Sequence, residues 1–597
     1  MITYIEKEQK YLSDIKIENQ TTNWINGCFH AWGEVKAPSG ISCSVSRKMT
    51  EKGRIYEEYS FINTADETVR IKTGDLGIWT PFNDSYDSVD ITERENCHAH
   101  LWCGGKSSYV CCLSMGGKSP HLGLVLTAGS IDQYLAEREE SSNDRGDIML
   151  LVAPTEIKPN EKYTVSWEIF EHQYDDFFDI LAEYQNYIPI ESRTFTFFKN
   201  ENARISVNGD ELDLPKSIGY HKVKEETHTF AYQILPEFEK LIRKRCEFIV
   251  NNQQENEGDL KGAYTIYDNE TQSRFFEEIP VPDHNAGRER IGMGALIAKY
   301  LQIHFDKSIY ASLMDYVAFI LREHFDPSTG EVFNSIHRDN SWRRIYNNAW
   351  FATFFREVYK LTKDNKYLSY MCGAFFDLYN HGGERFYPLN IEMYDSIKCL
   401  EKANMNEKKE KLFAYFKKNA DYILSNGTHY PSFEVKFEDN IVTPAGSVLL
   451  QMYKLTGDES YLSGAKEHLN IHKIFLFFQP DARMHGVSIH HWDDFWFGKR
   501  RLYGDTYPHY WSTTGSLLYA QMSLVETDKH LKQQYEDIAR AGIRSCLGNF
   551  FPDGSATCAI VTPYSINGTR GEFIDPWAND QDWAMYHALL FDEMMGI

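Results

Sequence analysis

The chain has 597 residues, with 62 basic and 86 acidic side chains for a net charge of −24, and its 42% hydrophobic content is ordinary for a globular protein. That acidity speaks against nucleic acid and anionic membranes as partners, since both require a basic footprint. The first residues carry no basic-then-apolar leader and the chain holds no apolar run of about 18 residues, so a cytoplasmic protein without a membrane span is expected.

Residues 1–172 read as β structure. Short runs of β-prone residues recur at 40–45 (GISCSV), 56–62 (YEEYSFI), 108–113 (SYVCCL), 122–127 (LGLVLT) and 163–170 (YTVSWEIF), separated by Gly, Asn, Asp and Pro. Residues 150–167 look like a late hairpin, and together these runs predict a large antiparallel β-sandwich. A linker follows over 173–232. It is expected to hold a helix at 173–188, ended by Pro189, and a small β element whose turn is Asn208-Gly209.

From about residue 233 to 597 the apolar period becomes 3.6, as in 238–250 and 294–305. An internal echo organises this half. VYKLTKDNKYL at 358–368 and MYKLTGDESYL at 452–462 share seven of eleven residues, 94 positions apart. AKYLQIHFDKSIY at 298–310 and LVETDKHL at 524–531 echo them more weakly. Recurring helix–turn–helix units mean stacked helical hairpins, and the remaining length suits a toroid of six, an (α/α)6 domain. The expected class is therefore α+β multidomain, an N-terminal antiparallel sandwich followed by a C-terminal toroid. The eleven cysteines are scattered in neither a zinc nor a disulfide pattern and read as reduced thiols.

Polar, aromatic loops interrupt the helical pattern at 283–290, 337–348, 490–510 and 562–583. The first, DHNAGRER, leads into a helix; Arg288 could grip a carboxylate through two parallel hydrogen bonds, with His284, Glu289 and Arg290 beside it. The richest segment is 490–512 (HHWDDFWFGKRRLYGDTYPHYWS), with three each of His, Tyr, Trp and Asp. Burying so many polar groups without a ligand is costly. Tyr507, His509 and Tyr510 are candidate proton carriers, Asp505 a candidate catalytic carboxylate, and His491, Trp492, Asp493 and Trp511 candidate substrate contacts. In NCHAHLWCGG (96–105), His98 and His100 share a face if extended. A metal there lacks a third ligand in sequence, and a loop reaching into the toroid cleft is the preferred reading. Arg343 and Asn348 in WRRIYNN (342–348) and Asp580 in NDQDW (579–583) complete the expected site. No nucleotide, nucleophile-elbow or zincin motif occurs, and no cofactor is expected.

On NCHAHLWCGG, DHNAGRER and FWFGKRRLYGDTYPHYWS, the chain resembles carbohydrate-active enzymes built from a β-sandwich and an (α/α)6 toroid. Its likeness is nearest to polysaccharide lyase family 27, the L-rhamnose-α-1,4-D-glucuronate lyases. That resemblance implies cleavage of a glycosidic bond in a uronate-containing oligosaccharide by β-elimination. Elimination needs a cation or hydrogen-bond donors on the uronate carboxylate and a His or Tyr to move the proton. Hydrolysis by paired carboxylates, from Glu289, Asp493, Asp505 and Asp580, remains the alternative, as in related glucuronidases and unsaturated uronyl hydrolases. A non-catalytic glycan-binding protein and an epimerase on the same scaffold stay open, as does homo-oligomerisation.

Overall fold

A computed structural model describes the chain apart from residues 9, 87–92, 140–143, 278–290, 342, 346, 388–390, 432–438, 490–497, 501 and 503. Its N-terminal part is an antiparallel sandwich. One six-stranded sheet runs, in spatial order, Ile41–Met49, Ile55–Asn63, Lys162–His172, His121–Ala128, Tyr109–Ser114 and Cys97–Trp102. All five β runs read from the sequence lie in these strands or begin one residue outside them. The second sheet runs Val35–Lys36, Gly77–Trp79, Asp147–Val152, Ile131–Glu137, Ser565–Ile566 and Thr569–Arg570. Its last two strands arrive from the far end of the chain, around an Asn567-Gly568 turn with both residues at positive φ.

Two expectations are corrected here. Residues 150–167 form no hairpin: Asp147–Val152 belongs to the second sheet, Thr155–Ile157 pairs with Val69–Ile71, and Lys162–His172 lies in the first sheet. Alternation shows which residues face inward but not which layer a strand joins. The helix expected over 173–188 is helical only over Tyr174–Asp176 and Phe177–Leu181. Beyond it, Asn186 Nδ2 donates to the Thr127 carbonyl (2.6 Å) and the Ile188 amide to Ser107 Oγ (2.9 Å), so sandwich loops hold this stretch out of helix. The Asn208-Gly209 turn is present, joining Ser206–Val207 to Asp210–Glu211.

The rest is a toroid with, among the described residues, twelve helices: α1 Phe238–Phe248, α2 Ile291–Ile303, α3 Lys307–Glu323, α4 Asn347–Thr362, α5 Asn365–Asn380, α6 Met393–Lys402, α7 Asn406–Asn426, α8 Asp439–Thr456, α9 Glu459–His472, α10 Ser512–Ser523, α11 Lys529–Cys546 and α12 Asp582–Met595. Even-numbered helices form the inner ring, α2 against α4, α6 against α8, α8 against α10, α10 against α12, and α12 back on α2. Between α4 and α6 the ring is tied by ion pairs, Arg356 to Glu392 and Lys360 to Asp395 (2.8 Å). Sequence reflects position. Every residue from Ile291 to Leu301 of α2 is buried, because an inner helix meets protein on all sides. Outer α3 instead buries one stripe.

The sandwich packs flat on the toroid, and its alternation shows how. In Tyr109–Ser114 every residue is buried. Val110 and Cys112 point into the sandwich core, while Tyr109, Cys111 and Leu113 join the core of the toroid. None of the eleven cysteines is in a disulfide. No described helix is long and apolar enough to cross a membrane.

Candidate functional site

The repeated sequence echo fixes the two ends of the toroid. Asp306, Asp364, Asp458 and Asp528 each accept backbone hydrogen bonds as N-caps of the outer helices α3, α5, α9 and α11. Each ends a short turn down from an inner helix. Such turns reverse the chain every time, so inner helices run parallel and their N-termini gather at the opposite end. There, among the described residues, 347–348 open α4, 505–511 lead into α10 and 579–582 into α12.

At this mouth, described side chains from three inner helices make a continuous wall. Trp350 on α4 lies 5.8 Å from Trp583 on α12, whose ring is 6.1 Å from that of His587. His587 Nδ1 meets Thr513 Oγ1 on α10 at 2.7 Å. Thr513 Oγ1 also donates to the Tyr510 carbonyl at 2.5 Å, and the Tyr510 ring stands 4.6 Å from that of His509. Burial pulls both His509 and His587 down to about 3, so each is a neutral imidazole near pH 7. Two buried polar atoms in this wall, Trp583 Nε1 and Asn347 Oδ1, have no hydrogen-bond partner among the described residues. Such groups are costly to leave unmet and mark where a ligand or water would bind.

Beside the mouth, the sandwich contributes Arg145, fully buried. Its Nε lies 3.0 and 3.1 Å from the two Asp505 oxygens, and its Nη2 is 2.8 Å from Asp505 Oδ2. Its Nη1 reaches Asp84 Oδ2 at 2.8 Å and the Ala99 carbonyl. Tyr134 donates to Asp505 at 2.6 Å. Burial opposes ionisation of Asp84, yet His98 and Arg145 hold its carboxyl far below the usual carboxylate range. Tyr507 sits against this charge cluster. Burial pushes its phenol well above the ordinary value, and its hydroxyl makes no hydrogen bond to any described residue. It is therefore a protonated phenol with an uncommitted hydroxyl.

The expected site residues are distributed as follows. His284, Arg288, Glu289, Arg290, His491, Trp492 and Asp493 lie outside the described residues. Tyr507, His509, Tyr510 and Trp511 stand together at the mouth, and Asp580 lies just before α12. Asp505 is held by Arg145 and Tyr134, which leaves it poorly suited to move protons. Arg343 and Asn348 both turn to Asp377 on outer α5, at 3.2 Å and 2.8 Å, and Arg343 also pairs with Glu331. His98 and His100 are on a strand, not a loop, and alternation aims both at the toroid. His98 accepts or donates with Tyr86 (2.7 Å) and Asp84 (3.3 Å). His100 Nε2 donates to the Ile474 carbonyl at 2.7 Å, with its ring on Phe477. Both are about 1% exposed, inside the domain contact. Sequence reading missed Arg145, Trp350 and His587. His587 follows Trp583 by four positions, one helical turn on the same face, and that spacing was the available signal.

No protein-family profile and no curated protein matches the chain by sequence. Among solved structures, a polysaccharide lyase matches with a TM-score of 0.90 and 29% identity, over 99% of each chain. An unsaturated glucuronyl hydrolase specific for heparin matches with a TM-score of 0.39 and 12% identity, over 60% of this chain and 98% of that one. A family 76 glycoside hydrolase from a bovine Bacteroides thetaiotaomicron strain gives a TM-score of 0.39 and 11% identity, over 83% of this chain and 98% of that one.

Proposed function

We propose that this carbohydrate-active enzyme cleaves a uronate-containing oligosaccharide by β-elimination at the toroid mouth, in the manner of a glucuronate lyase. The observation that carries the reading is the mouth's chemistry: an uncommitted phenol and neutral imidazoles, with two of the described carboxylates there, Asp505 and Asp582, already spent in ion pairs. Asp505 is held by Arg145, and Asp582 is gripped by Arg245 at 2.6 and 2.8 Å. Neither suits a hydrolytic acid or base, each of which needs a carboxyl free to exchange a proton.

In this reading Arg288 pairs with the uronate carboxylate and so acidifies the neighbouring carbon. Neutral His509 takes that carbon's proton. The imidazolium formed beside the developing enolate gains a charge partner, which offsets the burial that keeps the imidazole at about 3 before substrate binds. Tyr507, held as a phenol, gives its proton to the departing glycosidic oxygen as the carbon–oxygen bond breaks and the double bond forms. The solved polysaccharide lyase supports this class of reaction over hydrolysis.

The test is incubation with a panel of uronate oligosaccharides, read by ultraviolet absorbance and mass spectrometry. An absorbing unsaturated uronate, with fragment masses summing to the substrate, is expected. Saturated fragments carrying one added water would overturn elimination and direct attention to Glu289 and Asp493.

A further inference from the structure

A second cleft is lined by Tyr134 and its neighbours, where sandwich, linker and toroid meet. It encloses about 230 Å³, below the range of drug-sized pockets and suited to a single small polar ligand. Trp102, Asp132 and Tyr134 line it from the sandwich, Tyr220 and Lys222 from the linker, and Asp481, Arg483, Met484 and residues 560–562 and 572–574 from the toroid.

Its charges are unevenly committed. Asp132 pairs with Lys224 and accepts from Thr73 (2.8 Å). Glu572 pairs with Arg570 and accepts from Gln133 (3.0 Å). Asp481 accepts from the Tyr220 hydroxyl (2.7 Å) and from the Arg483 amide (2.8 Å). The cations are different. Neither Arg483 nor Lys222 makes an ion pair with a described residue. Arg483 lies over the Tyr220 ring at 3.7 Å, and its Nε is buried without a hydrogen-bond partner. The stacking holds the guanidinium plane in place, and Asp481 anchors the phenol beneath it. A stacked, partly buried guanidinium with unused donors is the arrangement that receives a carboxylate in two parallel bonds. Asp481 and Gln133 offer hydroxyl partners, and Phe573 with Ile574 gives the rim an apolar face.

We propose that this cleft is a binding site for a carboxylate-bearing sugar unit, with Arg483 taking the carboxylate. Its lining shares no residue with those assigned to the bond-cleaving mouth, and the proposal does not depend on the reaction proposed there. Through Tyr134, whose hydroxyl is bonded to Asp505, an occupied cleft would rest against the segment that carries Tyr507.

Isothermal titration of the full chain with D-glucuronate, D-glucose and acetate tests it. Glucuronate should bind the wild type, and Arg483→Ala should weaken that site at least tenfold, about 1.4 kcal/mol. Arg483→Lys should recover only part of the loss, since lysine keeps the charge without the fork. Glucose and acetate should each bind far more weakly than glucuronate. Turnover of the smallest cleavable substrate should be unchanged in Arg483→Ala. Unaltered glucuronate binding in Arg483→Ala overturns the proposal, and so does acetate binding as tightly as glucuronate. Should Arg483→Ala fail to fold, Lys222→Glu at the exposed rim serves instead: binding weakened several-fold supports the site, and unchanged binding rejects it.

Discussion

At the scale of single residues, Tyr507 and Arg145 are neighbours with opposite roles. The Tyr507 hydroxyl bonds to no described residue, so removing it leaves packing intact. Tyr507→Phe should melt with the wild type yet lose about a hundredfold or more in kcat, the usual contribution of a positioned proton donor; a steady-state assay beside a thermal melt checks both halves. Arg288→Lys should keep the charge but lose the two-pronged grip on a carboxylate. A fall in turnover of more than about tenfold is expected, equivalent to about 1.4 kcal/mol in the transition state. Arg145 is the reverse case. It compensates two buried carboxylates, Asp84 and Asp505, from different domains. Truncation by Arg145→Met would strand both charges, at a cost of about 3–5 kcal/mol. Denaturant titration should show that loss, and Asp505→Asn should offset part of it in the double variant; equal stability of Arg145→Met and wild type would remove Arg145 from the domain contact.

At the scale of elements, the repeated Asp turns are the clearest case of sequence setting structure. Lys363 and Gly457 take positive φ at the end of their inner helices, and the following aspartate caps the next helix. Loss of one cap costs about 1 kcal/mol. Asp458→Ala should therefore lower the melting temperature slightly while product formation stays normal, because these turns lie at the end away from the mouth. Asparagine–glycine turns were legible on the same footing. Asn208-Gly209 was read as a hairpin, and Asn567-Gly568 carries the same signal inside a segment taken for a polar loop. The hairpin there was overlooked because its flanks, PYSI and TRGEF, lack the alternation that RISV and DELDL give Asn208-Gly209.

At the scale of the whole molecule, burial of neutral imidazoles sets the pH response. Burial holds His509 and His587 at about 3, and His468 and His485 at about 4. Unfolded histidines titrate near 6.5. Between those values the unfolded chain binds more protons, so stability is complete above about 6.5 and is lost as pH falls. Glu357 acts in the same direction at lower pH: burial opposes its ionisation, but Lys360 and Arg356 draw it down to about 2. Calorimetry should show the melting temperature falling steadily from about pH 7 to about pH 5. A level or rising curve would mean these imidazoles are not buried neutral.

The sequence by itself determined the class of architecture, because alternation and the 3.6 period are properties of local burial that each element carries on its own. It also located the inner-to-outer helix turns, whose capping needs only neighbouring residues. Grouping of Tyr507, His509, Tyr510 and Trp511 was likewise legible, since contiguity in the chain places them together. What only the tertiary structure decided are contacts made across long separations. Arg145 meets Asp505 from 360 residues away, and Ile566 pairs with Ala136 to extend a sheet begun at the other end of the chain. His98 and His100 look like ligands in sequence, yet they lie within the sandwich–toroid contact, because a strand's two faces are equivalent until a second domain covers one. Nothing local distinguishes a polar residue aimed at a substrate from one aimed at another domain. The difference is set by what lies opposite, and that exists only once the toroid has closed.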